Sequence, residues 1–304
     1  MVTVIPADLV SAVKKQECVL FLGAGVHYPP PQDSLYLYPE EQRPPLGEKF
    51  SNQLADECIA QLDEEQSEQK REQKREYLDK QRAALQRTSW YYERIPRYDR
   101  QKLVNRIKVA VEPGKEPSPL VRALAKIDFS VVITTNYDRL FERALFAVGK
   151  DPIMRIYDRT PDRLTKDFPG KPDPKHPWFF KMHGCISDPD SIVITDEDYI
   201  NFVMRMGDTE AFHPVPQKLR VQFKEWPTLF VGYSLLDYNL RLLFRTLRRW
   251  IADAEQPATF SLDPHPDLLV METYKAGLVF FIEQDSWKFV PELYRNLFGE
   301  DMPQ

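Results

Sequence analysis

Short runs of consecutive apolar residues recur along this chain, and each gives way to small or polar residues. The runs are 18–22 (CVLFL), 129–134 (FSVVIT), 178–182 (WFFKM), 227–231 (PTLFV) and 278–282 (LVFFI). Runs of this length, rich in β-branched and aromatic residues and lacking alternation, predict strands buried on both faces. Between them apolar residues recur at helical spacing. That spacing predicts helices over 7–15, 47–62, 103–111, 120–126, 139–147, 238–254 and 291–298. A further helix starts at Thr195, which suits an N-cap, with Asp198 as its partner in a capping box. Strand and helix in alternation predict an α/β fold, a Rossmann-like doubly wound parallel sheet. The stretch 47–111 carries only helical pattern. It reads as an inserted helical module within one domain, whose core is 1–46 and 112–304.

Two stretches lack a period. Residues 29–46 are rich in Pro and Tyr and longer than an ordinary connection, which fits a functional loop or a solvated insertion. Residues 151–177 contain six prolines and read mostly as loop. Residues 63–87 are dense in both signs of charge with few apolar anchors, the pattern of an exposed helix. Trp90, Tyr91, Tyr92 and Tyr98 would pack that region onto its neighbours.

Composition narrows the class. With 304 residues, 42% hydrophobic and 29% charged, the chain can bury a large core. No run approaches the ~20 apolar residues of a membrane helix. The first residues lack the basic start of a signal peptide, so a cytoplasmic location is expected. The three cysteines, Cys18, Cys58 and Cys185, are scattered and suggest neither disulfides nor a zinc pair. A net charge of −5 argues against a surface built for direct nucleic-acid binding.

Candidate chemistry sits where the runs end. The first run meets Gly23-Ala24-Gly25, where glycines allow a sharp turn and close approach of a pyrophosphate. The pattern is incomplete. Tyr28 stands where G-x-G-x-x-G needs its third glycine, Pro29-Pro30-Pro31 bars an immediate helix, and Glu40 and Glu41 lie in loop rather than at a strand end. Alone, this stretch fits a nucleotide turn and an ordinary buried strand with a tight turn equally well. The other ends carry Asn136 and Asp138, His183 and Gly184, and Gly232, Ser234 and Asp237. Singly, each has a structural alternative: Asp138 and Asp237 as helix caps, Asn136 as a turn residue, His183 as a packed histidine. In a parallel sheet, however, these ends lie side by side. His27, His176, His213 and His265 have no metal-like spacing, though His27 is close to the glycine turn.

In order, LGAGV, TTNYD, KMHG and GYSLLD resemble the motifs of the sirtuin-like superfamily, over about 13–298. The segment FFKMHGCISDPDSIVITDEDY is similar to that of its bacterial antiphage-defence branch, whose members hydrolyse NAD+. Deacylases of the superfamily carry four zinc cysteines, a Gln at the position of Thr135 and an acidic loop where Tyr-Pro-Pro-Pro stands here. This chain departs from all three. The resemblance implies NAD+ as substrate without a metal, cleaved to nicotinamide and ADP-ribose, with NAD+ depletion as the defence. It implies catalytic roles for Asn136 and His183, with His183 as base toward water or a ribose hydroxyl. Nicotinamide leaves as a neutral molecule, so a second, acidic carboxyl is not required. Gly23, Ala24 and Gly25 would receive the pyrophosphate, and Asp138 would order the ribose or the cation. Gly184, Gly232, Ser234 and Asp237 would bind the rest of the nucleotide or fix its turns. The loop 29–46 would cover the nicotinamide. The resemblance also implies activation within a complex, with a HerA-like ATPase or a short Argonaute as partner, and a homo-oligomer. An NAD-dependent protein deacylase and a non-catalytic NAD+ or ADP-ribose-binding subunit are the alternatives.

Overall fold

The computed structural model describes residues 5–62, 67–95, 98–160, 164–207, 213–235, 256–274 and 279–303. Seven strands among them form one wholly parallel sheet: β1 (Val19–Leu22), β2 (Val131–Thr134), β3 (Ile153–Ile156), β4 (Trp178–Lys181), β5 (Thr228–Val231), β6 (Thr259–Leu262) and β7 (Phe280–Ile282). Their order is β3-β4-β2-β1-β5-β6-β7. The connections reverse direction at β1, so the crevice beyond its carboxyl end is the switch point at which such sheets bind ligands.

The runs are almost wholly apolar because both faces of the sheet are covered. On one face Leu20, Leu22, Val132, Phe179, Leu229 and Val231 pack with helices α1 (Ala7–Lys14), α6 (Pro119–Lys126), α7 (Leu140–Ala147) and α11 (Ser286–Phe298). On the other, Val19, Phe21, Val131, Ile133, Trp178 and Phe230 pack with α8 (Asp196–Arg205), α9 (Gln217–Glu225) and α10 (Leu268–Thr273). Successive residues serve opposite layers, as the period of two in a strand demands.

Helices α2 (Gly47–Leu62), α3 (Glu68–Gln81), α4 (Leu85–Tyr92) and α5 (Arg100–Val111) share a core of their own. Phe50, Leu54, Leu78, Tyr92, Leu103 and Ile107 close onto Ile186, Ile192 and Ile194, which follow β4. The expected capping box is present: Thr195 accepts from the Asp198 amide, and the Asp198 carboxylate accepts from the Thr195 amide. The loop 29–46 is anchored. Tyr38 is buried, both Tyr36 and Tyr38 lie against Trp287, and the Tyr38 hydroxyl donates to the Glu116 carbonyl at 3.0 Å.

Several elements differ from the sequence-based expectation. β3 lies inside the proline-rich stretch expected as loop; it is an edge strand, half-buried throughout, with Arg155 in its middle. β6 has Thr259 and Ser261 among its four residues, so no apolar run marks it. The charged stretch forms two helices, α3 and α4, with a break at Arg82–Ala84. α11 starts at Ser286, capped by Asp285, and carries Pro291 inside it rather than at its start. The expected helix 238–254 and Asp237 lie outside the described residues. The three cysteines are free and buried. No helix among the described residues is long and apolar enough to cross a membrane.

Candidate functional site

The turns after β1, β2 and β5 are bonded to one another at the switch point. Gly25 N–H donates to Gly232 O at 2.8 Å, and Gly23 N–H donates to Val231 O at 3.0 Å. The Asn136 side-chain amide donates to Gly23 O at 3.2 Å. Thr134 Oγ1 donates to Leu22 O and accepts from the Asn136 amide. Backbone contact between turns explains the glycines. A β-carbon at Gly23 would lie 2.3 Å from Gly232 O, and one at Gly232 would lie 2.2 Å from Val26 N. Gly232 has φ +70°, a region costly for other residues. The glycines expected to admit a phosphate thus also let two turns touch. Ala24–His27 forms a single 3₁₀ turn, in keeping with the prolines that follow.

Asn136 and His183, 47 positions apart in sequence, line one cleft of about 400 Å³ with Ala24, His27, Tyr199 and Ser234. Further lining comes from the loop, through Pro44 and Pro45, and from helices α2 and α5, through Phe50 and Ile107. A second groove, of about 930 Å³, shares Ala24, Gly47, Glu48, Gly232, Tyr233 and Ser234 with the first. It continues past Gly25 to Asp263 after β6 and to Asp285 and Trp287 at the start of α11. Together they form an elongated, mixed polar and apolar surface over the carboxyl ends of the central strands.

His183 follows β4, only 5% exposed. Its ring meets the edges of Tyr199 and Phe202 at centroid distances of 5.0 and 5.7 Å, and its Nδ1 lies 3.3 Å from the Tyr199 hydroxyl. Gly184 behind it has φ +88°, and a β-carbon there would lie 2.4 Å from Ser191 O. His183 O accepts from the Val193 amide, which fixes the turn.

Asp138 is buried and its carboxylate is engaged on both oxygens. Oδ1 accepts from the Leu140 amide at 2.9 Å, from one position before the N-cap of α7, which is Arg139 rather than Asp138, and Oδ2 lies 3.2 Å from His27 Nε2. Burial disfavours its charge, but His27, then Lys181 and the Leu140 amide, outweigh that and pull the carboxyl down to about 2. Lys181, buried in the middle of WFFKM, donates to the Asp138 carbonyl and pairs with Glu142 Oε1 at 3.4 Å. Burial works against the Lys181 ammonium, yet Glu142 leads the groups that hold it above the ordinary lysine value. Glu142 is itself pushed up by burial, which Lys181 only partly offsets.

The structure therefore brings Ala24, Gly25, Asn136, Asp138, His183, Gly232 and Ser234 around connected clefts, with Gly184 as the turn behind His183; Gly23 lines neither cleft and instead holds the Asn136 amide through its carbonyl. Asp237 lies outside the described residues. Lys181, Glu142, Tyr199, Asp263 and Asp285 were not among the residues expected from sequence, whereas His27, noted there for its closeness to the glycine turn, does line the cleft. The lone lysine in an apolar run was the one overt signal among them, since a cation there demands a buried partner. Among the described residues, no group of three or more His, Cys, Asp or Glu side chains is arranged to hold a metal ion.

Residues 130–280 match the SIR2-like domain family. The chain is similar to the NAD(+) hydrolase ThsA of Acinetobacter baumannii, 30% identical over 151 residues, which cover 50% of this chain and 29% of that protein. It is similar to the NAD(+) hydrolase ThsA of Cytobacillus dafuensis, 30% identical over 131 residues, covering 42% and 23% of the two chains. It is also similar to the defense-associated sirtuin 2 of Bacillus subtilis, 22% identical over 164 residues, covering 53% and 15%. Each matched stretch spans less than a third of the relative's own length.

Proposed function

Since the chain carries a SIR2-like domain over residues 130–280, we propose that its central clefts bind NAD+ and hydrolyse it to nicotinamide and ADP-ribose, as an antiphage defence by NAD+ depletion. The observation that carries this reading is the meeting of Asn136 and His183, from the ends of different strands, in one cleft beside the glycine turn. The similarity to proteins named NAD(+) hydrolase supports the same activity.

In this reading the nicotinamide end lies in the cleft of Asn136 and His183, and the adenosine end follows the groove toward Asp263 and Trp287. The substrate's pyridinium leaves as neutral nicotinamide when the bond to ribose C1′ breaks. Positive charge builds on the ribose, and a water oxygen forms the new bond to C1′. His183 takes the proton that this water, or the ribose hydroxyl beside it, must shed. Asn136 is anchored through its amide nitrogen on Gly23 O, so its carboxamide oxygen accepts from the water or a ribose hydroxyl. Asp138 acts through His27 and the start of α7. Pro44 and Pro45 of the loop close the nicotinamide end against water. The enzyme works as a homo-oligomer in a complex, with a HerA-like ATPase or a short Argonaute as activator.

The test is nicotinamide release from NAD+, with and without such a partner. The expected result is turnover by the wild type and a loss of roughly 100-fold or more in Asn136→Ala and His183→Ala. Equal turnover in all three proteins overturns the assignment of the residues. Acyl-lysine-dependent release of nicotinamide, or binding without turnover, overturns the reaction.

A further inference from the structure

Tyr199 is the last residue of the segment that begins at the fourth strand, and it reaches back to the histidine in the same segment. Its hydroxyl lies 3.3 Å from His183 Nδ1, and the two rings meet edge to face at 84°. Phe202, one turn further along α8, holds the same imidazole at 85°. The ring therefore has little freedom to rotate about its own plane, and its Nδ1 is directed at an oxygen.

The position of that oxygen is fixed from outside the cleft. Tyr199 follows Asp198, whose carboxylate is held by four groups. Asp198 Oδ2 accepts from the Ile194 and Thr195 amides at 3.0 Å and from Arg100 at 2.7 Å, while Oδ1 pairs with Arg159 at 2.7 Å. Arg100 also donates to the Ile192 carbonyl. Arg100 opens helix α5, so the first turn of α8 is bolted to the helical module as well as to the sheet.

A neutral imidazole has one N–H and one lone pair, and a bond at one nitrogen determines what the other can do. A histidine that takes a proton in the cleft needs its lone pair on Nε2. Its proton must then reside on Nδ1, and Nδ1–H requires an acceptor. The phenolic oxygen of Tyr199 is an acceptor at the required distance. With the opposite arrangement, Tyr199 O–H donating to Nδ1, Nε2 would carry the proton and could only donate.

We infer that Tyr199 is a positioning residue for His183: it accepts a hydrogen bond from Nδ1–H, and so presents Nε2 as the proton acceptor. This rests on the NAD+-cleaving reading only for its effect on rate; the tautomer is a property of the chain itself. Its loss should act on turnover more than on substrate affinity, because Tyr199 works through His183.

The tautomer is read from the nitrogen chemical shifts of the five histidines in 15N-histidine-labelled protein, with His183 assigned by its absence in His183→Gln. The expected wild-type spectrum has the His183 proton on Nδ1. In Tyr199→Phe, which keeps the ring contact and removes only the oxygen, the proton should move toward Nε2, and kcat should fall about 10- to 100-fold with KM within about twofold. A wild-type proton on Nε2 overturns the inference even if the variant fails to fold. So does an unchanged tautomer in a folded Tyr199→Phe. Absence of turnover in every protein, alongside the expected shifts, counts against the NAD+-cleaving reading and leaves the inference supported.

Discussion

Lys181 shows how the residues that do no chemistry hold those proposed to do it. It is 1% exposed at the end of β4, one residue before Met182 and two before His183, and its ammonium ties the Asp138 carbonyl to Glu142. An ion pair of this kind contributes little net stability, but breaking one side leaves a charge stranded in the interior. Lys181→Met should therefore lower unfolding stability by roughly 3–5 kcal/mol, measured by urea titration. The double variant Lys181→Met, Glu142→Leu should recover much of that loss, since no carboxylate is left unpaired. At this scale the sequence was readable for Asn136 and His183 because their neighbours form short recognisable motifs. Glu142 was not legible, nor was the pairing of His27 with Asp138, for a physical reason: each is defined by a partner more than 35 positions away, and nothing in its own neighbourhood announces that partner.

Among the elements, the contact of the β1 and β5 turns governs the geometry of the clefts. Substituting Gly232 adds a β-carbon against Val26 N in a left-handed conformation, whereas the same conformation at Gly114 has no atom within 4 Å of the added carbon. Gly114→Ala should cost only about 1–2 kcal/mol from backbone strain. Gly232→Ala should cost more than that and weaken nucleotide binding as well, because relief requires the glycine turn to move. Urea unfolding of both variants, with NAD+ affinity by calorimetry, checks the contrast. The same logic explains which elements were legible. β1, β2, β4 and β5 are buried on both sides, so their sequences are near-continuous apolar runs, with Lys181 at the end of β4 as the charged exception. β3 is an edge strand exposed enough to carry an arginine, and β6 buries two hydroxyl residues, so neither resembles a core strand. The capping box of α8 was legible because it is entirely local.

The molecule as a whole should report its buried charges in its response to acid. The Asp138 carboxyl is held at about 2 in the folded chain, below its ordinary 3.8. A depressed carboxyl adds stability above its unfolded value and loses it as the pH falls toward the folded one. Unfolding stability should thus drop by roughly 2 kcal/mol between about pH 4 and pH 2 on this account, and Asp138→Asn should flatten that slope. Glu142 is displaced upward, so its contribution has the opposite sign and grows as pH falls through its folded value. Urea midpoints measured from pH 6 to pH 2 separate the two.

The parallel register also imposes a schedule. Val19 sits between Val131 and Thr228, so the first strand leaves the ribosome long before either flank exists. Until the fifth strand has emerged, the glycine turn has nothing to lean on and the histidine has no completed crevice to face. On the proposed chemistry, the crevice therefore cannot act before the fifth strand and its turn have joined it, without any inhibitor having to be bound.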